Sequence, residues 1–279
     1  MKDTSWGGVA EWYNELLEEK PDSYQTAVIL PNLLRLLDIK KGEKVLDLAC
    51  GQGFFAREFA GQGAKVVGAD IAKELIALAE KNTPKDLKKK ISYLVSAADR
   101  VKNLENSSFD KAVIILALQN MEKVNEVLQE CARVLKPEGK LFLVLNHPAF
   151  RVLKESGWGW DPSAPREYSG HSAPREYSGP STEIRAGVKG VQYRRIDKYL
   201  SESAVKIQMH PGENPEEKTI SFHRPLQFYF KALNKAGFCV NKLEEWNSNK
   251  KSGPGPRAEA ENRARKEIPL FLCLEAARR

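Results

Sequence analysis

The stretch from Val45 to Ala69 constrains this chain most, because it reads as strand, glycine turn, helix and second strand in immediate succession. Lys44 to Leu48 is a short apolar run without alternation, the pattern of a central parallel strand covered on both faces. It leads into Asp47-Leu48-Ala49-Cys50-Gly51-Gln52-Gly53, where two glycines let the backbone turn sharply and approach a ligand, and Phe54 to Ala60 then has helical character. A second apolar run, Lys65 to Ala69, closes on Asp70. That aspartate follows Gly51 by roughly 20 residues, the separation at which an acid ending a second strand meets ribose hydroxyls in nucleotide folds.

The run VLDLACGQG followed by VVGADIA resembles the first two motifs of class I S-adenosylmethionine-dependent methyltransferases. A nicotinamide-binding loop asks for a third glycine at the helix start, where this chain has Ala56. Asp47, four residues before Gly51, discriminates better. The family pattern uses an acid there to hold the cationic amino group of the methionine moiety, whereas it would repel the pyrophosphate of a dinucleotide. RVLKPEGKLFLV resembles the family's turn and fifth strand, and LALQNMEKV after the fourth strand resembles its small-molecule members, the type 11 domain group. The resemblance implies S-adenosyl-L-methionine as cofactor, with S-adenosyl-L-homocysteine as product. It implies contacts from Asp47, Ala49, Gly51, Gly53, Asp70, Ile71 on the adenine face, Ala98, Asp99 and Ala117, with Tyr24 reaching the carboxylate.

Taken in order, Trp6 to Glu19 reads as a helix, and a second helical segment from Tyr24 to Leu37 is bent near Pro31. Trp12, Tyr13 and Tyr24 either pack on the sheet or form a lid over the cofactor. Ile91 to Val95 and Phe109 to Leu116 are the third and fourth strands. The helical face of Met121, Val124, Val127, Leu128, Cys131, Val134 and Leu135 is expected to stop at Pro137-Glu138-Gly139, ahead of a fifth strand from Lys140 to Leu145. Beyond Asn146 the alternation ends, and Ser163 to Gly170 (SAPREYSG) recurs as Ser172 to Gly179. Ser163 to about Val188 is expected to be poorly ordered. Val205 to Met209 and Lys218 to Phe222 suggest a hairpin, and Leu226, Tyr229, Phe230 and Leu233 a helix stopped by Gly237. Phe238 to Trp246 and Ile268 to Ala276 read as the last two strands, joined by a loop from Asn247 to Lys266.

The expected fold is therefore α/β: a Rossmann-like seven-stranded methyltransferase sheet, mostly parallel with an antiparallel C-terminal hairpin, flanked by helices and carrying an inserted substrate cap. Its expected divisions are an N-terminal helical lid (1–40), a cofactor-binding core (41–146), the cap with its repeat-bearing loop (147–223) and the completion of the sheet (224–279).

A hydrophobic content of 42% supports a sizeable core, and the net charge of +7 with a pI of about 9.1 permits an anionic partner without requiring one. There is no apolar run long enough to span a bilayer and no basic-then-apolar leader, so neither a membrane span nor a signal peptide is expected. Cys50, Cys131, Cys239 and Cys273 are widely spaced in predicted core elements, without a C-x-x-C pair. That points to the reducing cytoplasm and away from a structural metal.

On the acceptor side, His147 just past the fifth strand is either a general base or a loop-ordering histidine, and His223 is either catalytic or a helix cap. Tyr199 is a candidate for touching the substrate, and Arg224, Arg194 and Arg195 either bind an acidic group on it or are solvated surface charge. The leading expectation is methylation of a small-molecule acceptor. An RNA methyltransferase is the alternative, supported by Lys250, Lys251, Arg257, Arg263, Arg265 and Lys266, and a non-catalytic cofactor-binding protein is the third reading.

Overall fold

The computed structural model describes residues 6–18, 22–162, 190–210 and 214–279. The SAPREYSG repeat and the segment expected to be poorly ordered lie outside the described residues.

The chain enters through a 3₁₀ turn, Gly7–Val9, and helix α1, Ala10–Glu18. A π-type turn over Gln25–Ile29 passes directly into α2, Leu30–Leu37. Pro31 has no N–H to offer the carbonyl four residues back, and the widened turn lies where that bond is missing. The proline therefore reshapes the helix start without breaking the segment.

Strand and helix then alternate, save between β3 and β4: β1 (Lys44–Leu48), α3 (Phe54–Gly61), β2 (Lys65–Asp70), α4 (Lys73–Asn82), β3 (Ile91–Val95), β4 (Phe109–Ile115), α5 (Val124–Val134) and β5 (Leu135–Asn146). Two hairpins come next, β6 (Ser156–Asp161) with β7 (Val191–Ile196), and β8 (Ser203–His210) with β9 (Asn214–His223). The chain closes with α6 (Leu226–Lys235), β10 (Phe238–Trp246), α7 (Ala258–Glu267) and β11 (Phe271–Arg278).

Seven strands form one sheet in the order β10-β11-β5-β4-β1-β2-β3. All neighbouring pairs from β5 to β3 are parallel, while β11 runs antiparallel to both β5 and β10. The expected fold class is thus the observed one. Its double-sided burial follows the strand period of two. Leu46, Leu48, Ile114, Leu141 and Leu143 face a cluster with α5 and α6, whereas Val45, Val113, Phe142 and Val144 face one with α2 and α3. Each fully buried Leu or Phe contributes about 2 kcal/mol, so both layers are needed to hold the strand ends in place.

Three elements differ from expectation. The fifth strand begins at Leu135, which pairs with Phe109, so α5 stops at Val134 and Pro137-Glu138-Gly139 forms an irregularity inside the strand pairing, with Glu138 at φ 62°. β6 lies in a stretch read as irregular, because its Ser-Gly-Trp-Gly-Trp-Asp sequence lacks the β-branched residues that mark strands. α7 occupies a segment read as loop: its ten residues AEAENRARKE bury only Ala260 and Ala264, too little for a periodic apolar signal. All four cysteines are free thiols, but Cys239 on edge strand β10 is exposed rather than part of the core.

Candidate active site

The carboxyl ends of β1, β2 and β4 open into a cleft, as a doubly wound sheet dictates. Glycine and a left-handed alanine make the turn after β1: Ala49 has φ 62°, Gly51 φ 55° and Gly53 φ 80°. A Cβ on Gly51 would lie 3.2 Å from the Tyr13 ring, and one on Gly53 would meet the Tyr93 hydroxyl at 2.5 Å. Gly51 therefore keeps space open beneath the N-terminal helix, while Gly53 is fixed by packing on the sheet side.

Asp70 locks this turn from β2. Its carboxylate accepts the Gly51 N–H (2.9 Å) and the Ala72 N–H (2.9 Å), and these bonds oppose the upward push that burial gives its pKa. Asp47 is deeper, 2% exposed, with Oδ2 lacking any hydrogen-bond partner among the described residues. Burial first, and the charge of Asp70 second, push the Asp47 pKa up to about 7. A cation placed against Asp47 would supply the missing partner and restore its charge.

The cleft comprises two adjoining cavities that share Ala49, Asp70, Ile71, Asn120 and Met121. The first, of about 280 Å³, is closed by Trp6, Tyr13, Leu116, Ala117 and Thr219. The second, of about 340 Å³, is floored by Ser96-Ala97-Ala98-Asp99. Ile71 stands 47% exposed between them, an apolar surface offered to a flat ligand. Asp99 lies 3.2 Å from Lys123 Nζ across the second cavity.

The N-terminal segment covers the turn. Gln52 Nε2 donates to Glu18 (3.2 Å), Glu18 is ion-paired with Arg57, and Arg57 donates to the Gln52 carbonyl (2.8 Å). The Tyr13 phenol is held well above its ordinary pKa by burial and then by Asp70 and Asp47. Tyr24 lies apart from the cavity lining: its hydroxyl is 3.1 Å from Ser248 Oγ and its ring packs edge-on to Phe271. Trp6, Tyr13 and Thr219 hold the wall instead. Thr219 and Trp6 are far from the glycine motif in sequence, so no local pattern flags them.

Of the acceptor-side candidates, Arg194, His223 and Arg224 line a third cavity, across residues 116–122, while His147, Tyr199 and Arg195 are not among its lining residues. His223 donates through Nε2–H to the Tyr199 carbonyl (2.7 Å), and Tyr199 in turn accepts the Leu226 N–H through its hydroxyl (3.0 Å). Arg224 donates through Nη2 to the carbonyls of Met121 (2.9 Å) and Glu122 (3.1 Å). His147 is 3% exposed; its Nδ1 accepts the Ala149 N–H (3.2 Å), so Nε2–H donates to Glu245 (2.7 Å). Burial holds the His147 pKa below its ordinary value, against the pull of Glu245. Both ring nitrogens are committed to protein partners, the arrangement of a histidine that orders a loop. Arg195 pairs with Asp197 at the surface. Among the described residues there is no cluster of His, Cys, Asp and Glu able to hold a metal, and no helix long and apolar enough to cross a membrane.

The strand order, the turn after β1 and the two acids around it are the layout of a nucleotide-type site at the carboxyl ends of a doubly wound sheet. Residues 46–143 match the family described as methyltransferase domain. Among curated proteins, the ubiquinone biosynthesis O-methyltransferase of Xanthomonas oryzae is 30% identical over 132 residues, covering 47% of this chain and 54% of that protein. The demethylmenaquinone methyltransferase of Lactococcus lactis is 33% identical over 119 residues, 41% of this chain and 47% of that protein. The chain thus spans about half the length of these relatives. An S-adenosylmethionine-dependent methyltransferase from Mesorhizobium loti shares the fold over 92% of this chain and 100% of its own, with TM-score 0.64 and 24% identity.

Proposed function

We propose that this chain transfers a methyl group from S-adenosylmethionine to a small-molecule acceptor by in-line displacement. The observation that carries the reading is the buried, unpartnered Oδ2 of Asp47 behind the Gly51 turn. It fits a ligand bearing an ammonium group. Gly51 gives the backbone approach, Asp70 the oxygen acceptors for ribose, and Ile71 with Ala98 the apolar faces for adenine. When bound, the cofactor supplies an activated sulfonium methyl. The protein's own part is to align donor and acceptor and to exclude water, which together can supply much of the rate.

The acceptor then lies on the far side of Leu116 to Met121, within reach of Arg194 and Arg224, with Tyr199 behind them bonded to Leu226. His147 orders the loop after β5 and His223 holds the Tyr199 carbonyl, while Arg224 bonds Met121 of the wall itself. The relatives named for ubiquinone biosynthesis and demethylmenaquinone favour a small molecule over RNA. So do the contacts made by four of the six basic residues that suggested RNA. Arg263 lies 3.3 Å from Glu259, Arg265 3.9 Å from Glu261, and Arg257 stacks over Trp160. Lys250 is ion-paired with Asp22.

Calorimetric titration with S-adenosylmethionine, in wild type and Asp70→Ala, tests the reading. Micromolar binding weakened tenfold or more by the substitution is the expected result, followed by an acceptor screen with methyl-labelled donor. Absence of binding overturns it.

A further inference from the structure

The third cavity, about 320 Å³, is lined by Gln119, Arg151, Lys154, Arg194, His223 and Arg224 together with other polar and apolar side chains, and no carboxylate lines it among the described residues. Its basic groups come from separate parts of the chain: Arg151 and Lys154 from the loop after β5, Arg194 from β7 and Arg224 from the end of β9. Five buried side-chain polar atoms lack a hydrogen-bond partner among the described residues, and three of them, Gln119 Oε1, Arg151 Nε and Arg224 Nη1, belong to this one cavity. Such groups cost free energy unless something completes them.

Two of the guanidiniums, those of Arg224 and Arg194, are fixed in place. Arg224 is 5% exposed, held between the Phe222 ring (4.6 Å) and the Phe228 ring (5.2 Å), with Nη2 spent on the Met121 and Glu122 carbonyls and the Tyr229 phenol beside it. Arg194 donates through Nε to the Phe150 carbonyl (2.9 Å) and through Nη2 to Ser156 Oγ (2.9 Å), with its plane over Trp158. Burial lowers the pKa of both Arg151 and Arg194, and the charge of Arg194 lowers Arg151 further. Preorganised cations that repel each other, with open donors and no acid between them, are the complement of a planar or tetrahedral anion.

The cavity also shares a wall with the cofactor cleft. Gln119 faces one side and Asn120 and Met121 the other, while on β9 Ser221 lines this cavity and Thr219 the cleft. We propose that this cavity seats an anionic group of the methyl acceptor, so that the substrate is a small carboxylic acid or phosphate monoester. This inference rests on the methyltransferase reading above. The lone Oε1 of Gln119 is then the acceptor for a hydroxyl or amine hydrogen on the same molecule, its Nε2 being given to the Leu116 carbonyl (2.8 Å).

The test is calorimetry on the full chain with benzoate and with phenyl phosphate, in the presence of S-adenosylhomocysteine, against neutral benzamide as control. Wild type, Arg151→Gln, Arg194→Gln and Arg194→Lys are each titrated, and each is first titrated with S-adenosylhomocysteine alone to establish a folded cofactor site. At least one anion is expected to bind while benzamide does not. Either Gln variant should weaken that binding tenfold or more with cofactor affinity held within twofold, and Arg194→Lys, which keeps charge but loses the fork, should fall between. Benzoate alone marks the acceptor as a carboxylic acid, phenyl phosphate alone as a phosphate ester. Cofactor binding without binding of either anion, or anion binding unchanged in both Gln variants, overturns the proposal. Arginine-dependent anion binding in a protein that binds no cofactor keeps the anion seat but removes its role as an acceptor site.

Discussion

The two sides of the partition at residues 116–122 are made from different materials. The cofactor cleft is built from backbone amides, small residues and acids, namely Ala49, Gly51, Asp70 and Asp99, with Asp47 buried behind the turn. The cavity behind it is built from long basic side chains on separate segments. A site made by a turn is specified within one short stretch of sequence and fails when the backbone is obstructed. A site made by converging arginines is specified by the tertiary fold and fails one donor at a time.

The largest expected effect tests the first half of that contrast. Gly51→Arg places a side chain at φ 55° and 3.2 Å from Tyr13. It is expected to abolish S-adenosylhomocysteine binding, a loss of more than about 100-fold or about 3 kcal/mol by calorimetry. Retained affinity would mean that the ligand is not held by this turn.

Asp47→Asn is next, with a pH signature. The folded carboxyl has a pKa of about 7, and a bound ammonium favours its ionised form. Cofactor affinity is therefore expected to rise several-fold between pH 6 and 8 in wild type and to be flat, and weaker, in Asp47→Asn. A slope that survives the substitution would assign the titration elsewhere.

His147→Gln sharpens the acceptor side. The loss of the Glu245 bond and the packing on Phe150 is expected to cost about 1–2 kcal/mol in denaturant unfolding, with turnover of the folded fraction unchanged. Because burial depresses the His147 pKa, the unfolded chain takes up its proton first. The stability from the neutral ring is present above pH 6.5 and lost as pH falls through the folded value, and the variant should lack that slope. A kcat loss without a stability loss would instead make His147 a catalytic residue.

The smallest effect belongs to Arg263→Ala, whose partner Glu259 is equally exposed. Stability should change by less than about 0.5 kcal/mol, and retention on immobilised RNA should not change at low salt.

The contrast also explains what the sequence revealed. Asp47, Gly51 and Asp70 are legible because a turn between two buried strands needs these residue types at fixed spacing, and the strand order follows from the alternation. Tyr13 rather than Tyr24 reaching the cavity depends on how α1 crosses the turn, which the Glu18–Arg57–Gln52 bonds decide, and no periodicity encodes that. Arg151 was invisible for a different reason. A basic residue in a loop reads as solvated until the fold brings Arg194 and Arg224 beside it. The weak patterns of β6 and α7 escaped notice because neither buries a regular apolar face.

The placement of β11 between β5 and β10 governs how the chain is made. Strands β1 to β5 can pair as they emerge from the ribosome, but β10 has no neighbour to dock on until the strand synthesised last of the seven arrives. During that interval β5, with Leu141, Leu143 and Leu145, is an open apolar edge able to template pairing with another nascent chain. Translation of residues 271–278 is thus the event that closes the sheet, and chains stalled before Phe271 are expected to pellet as aggregates where chains that include Phe271–Arg278 stay in the supernatant.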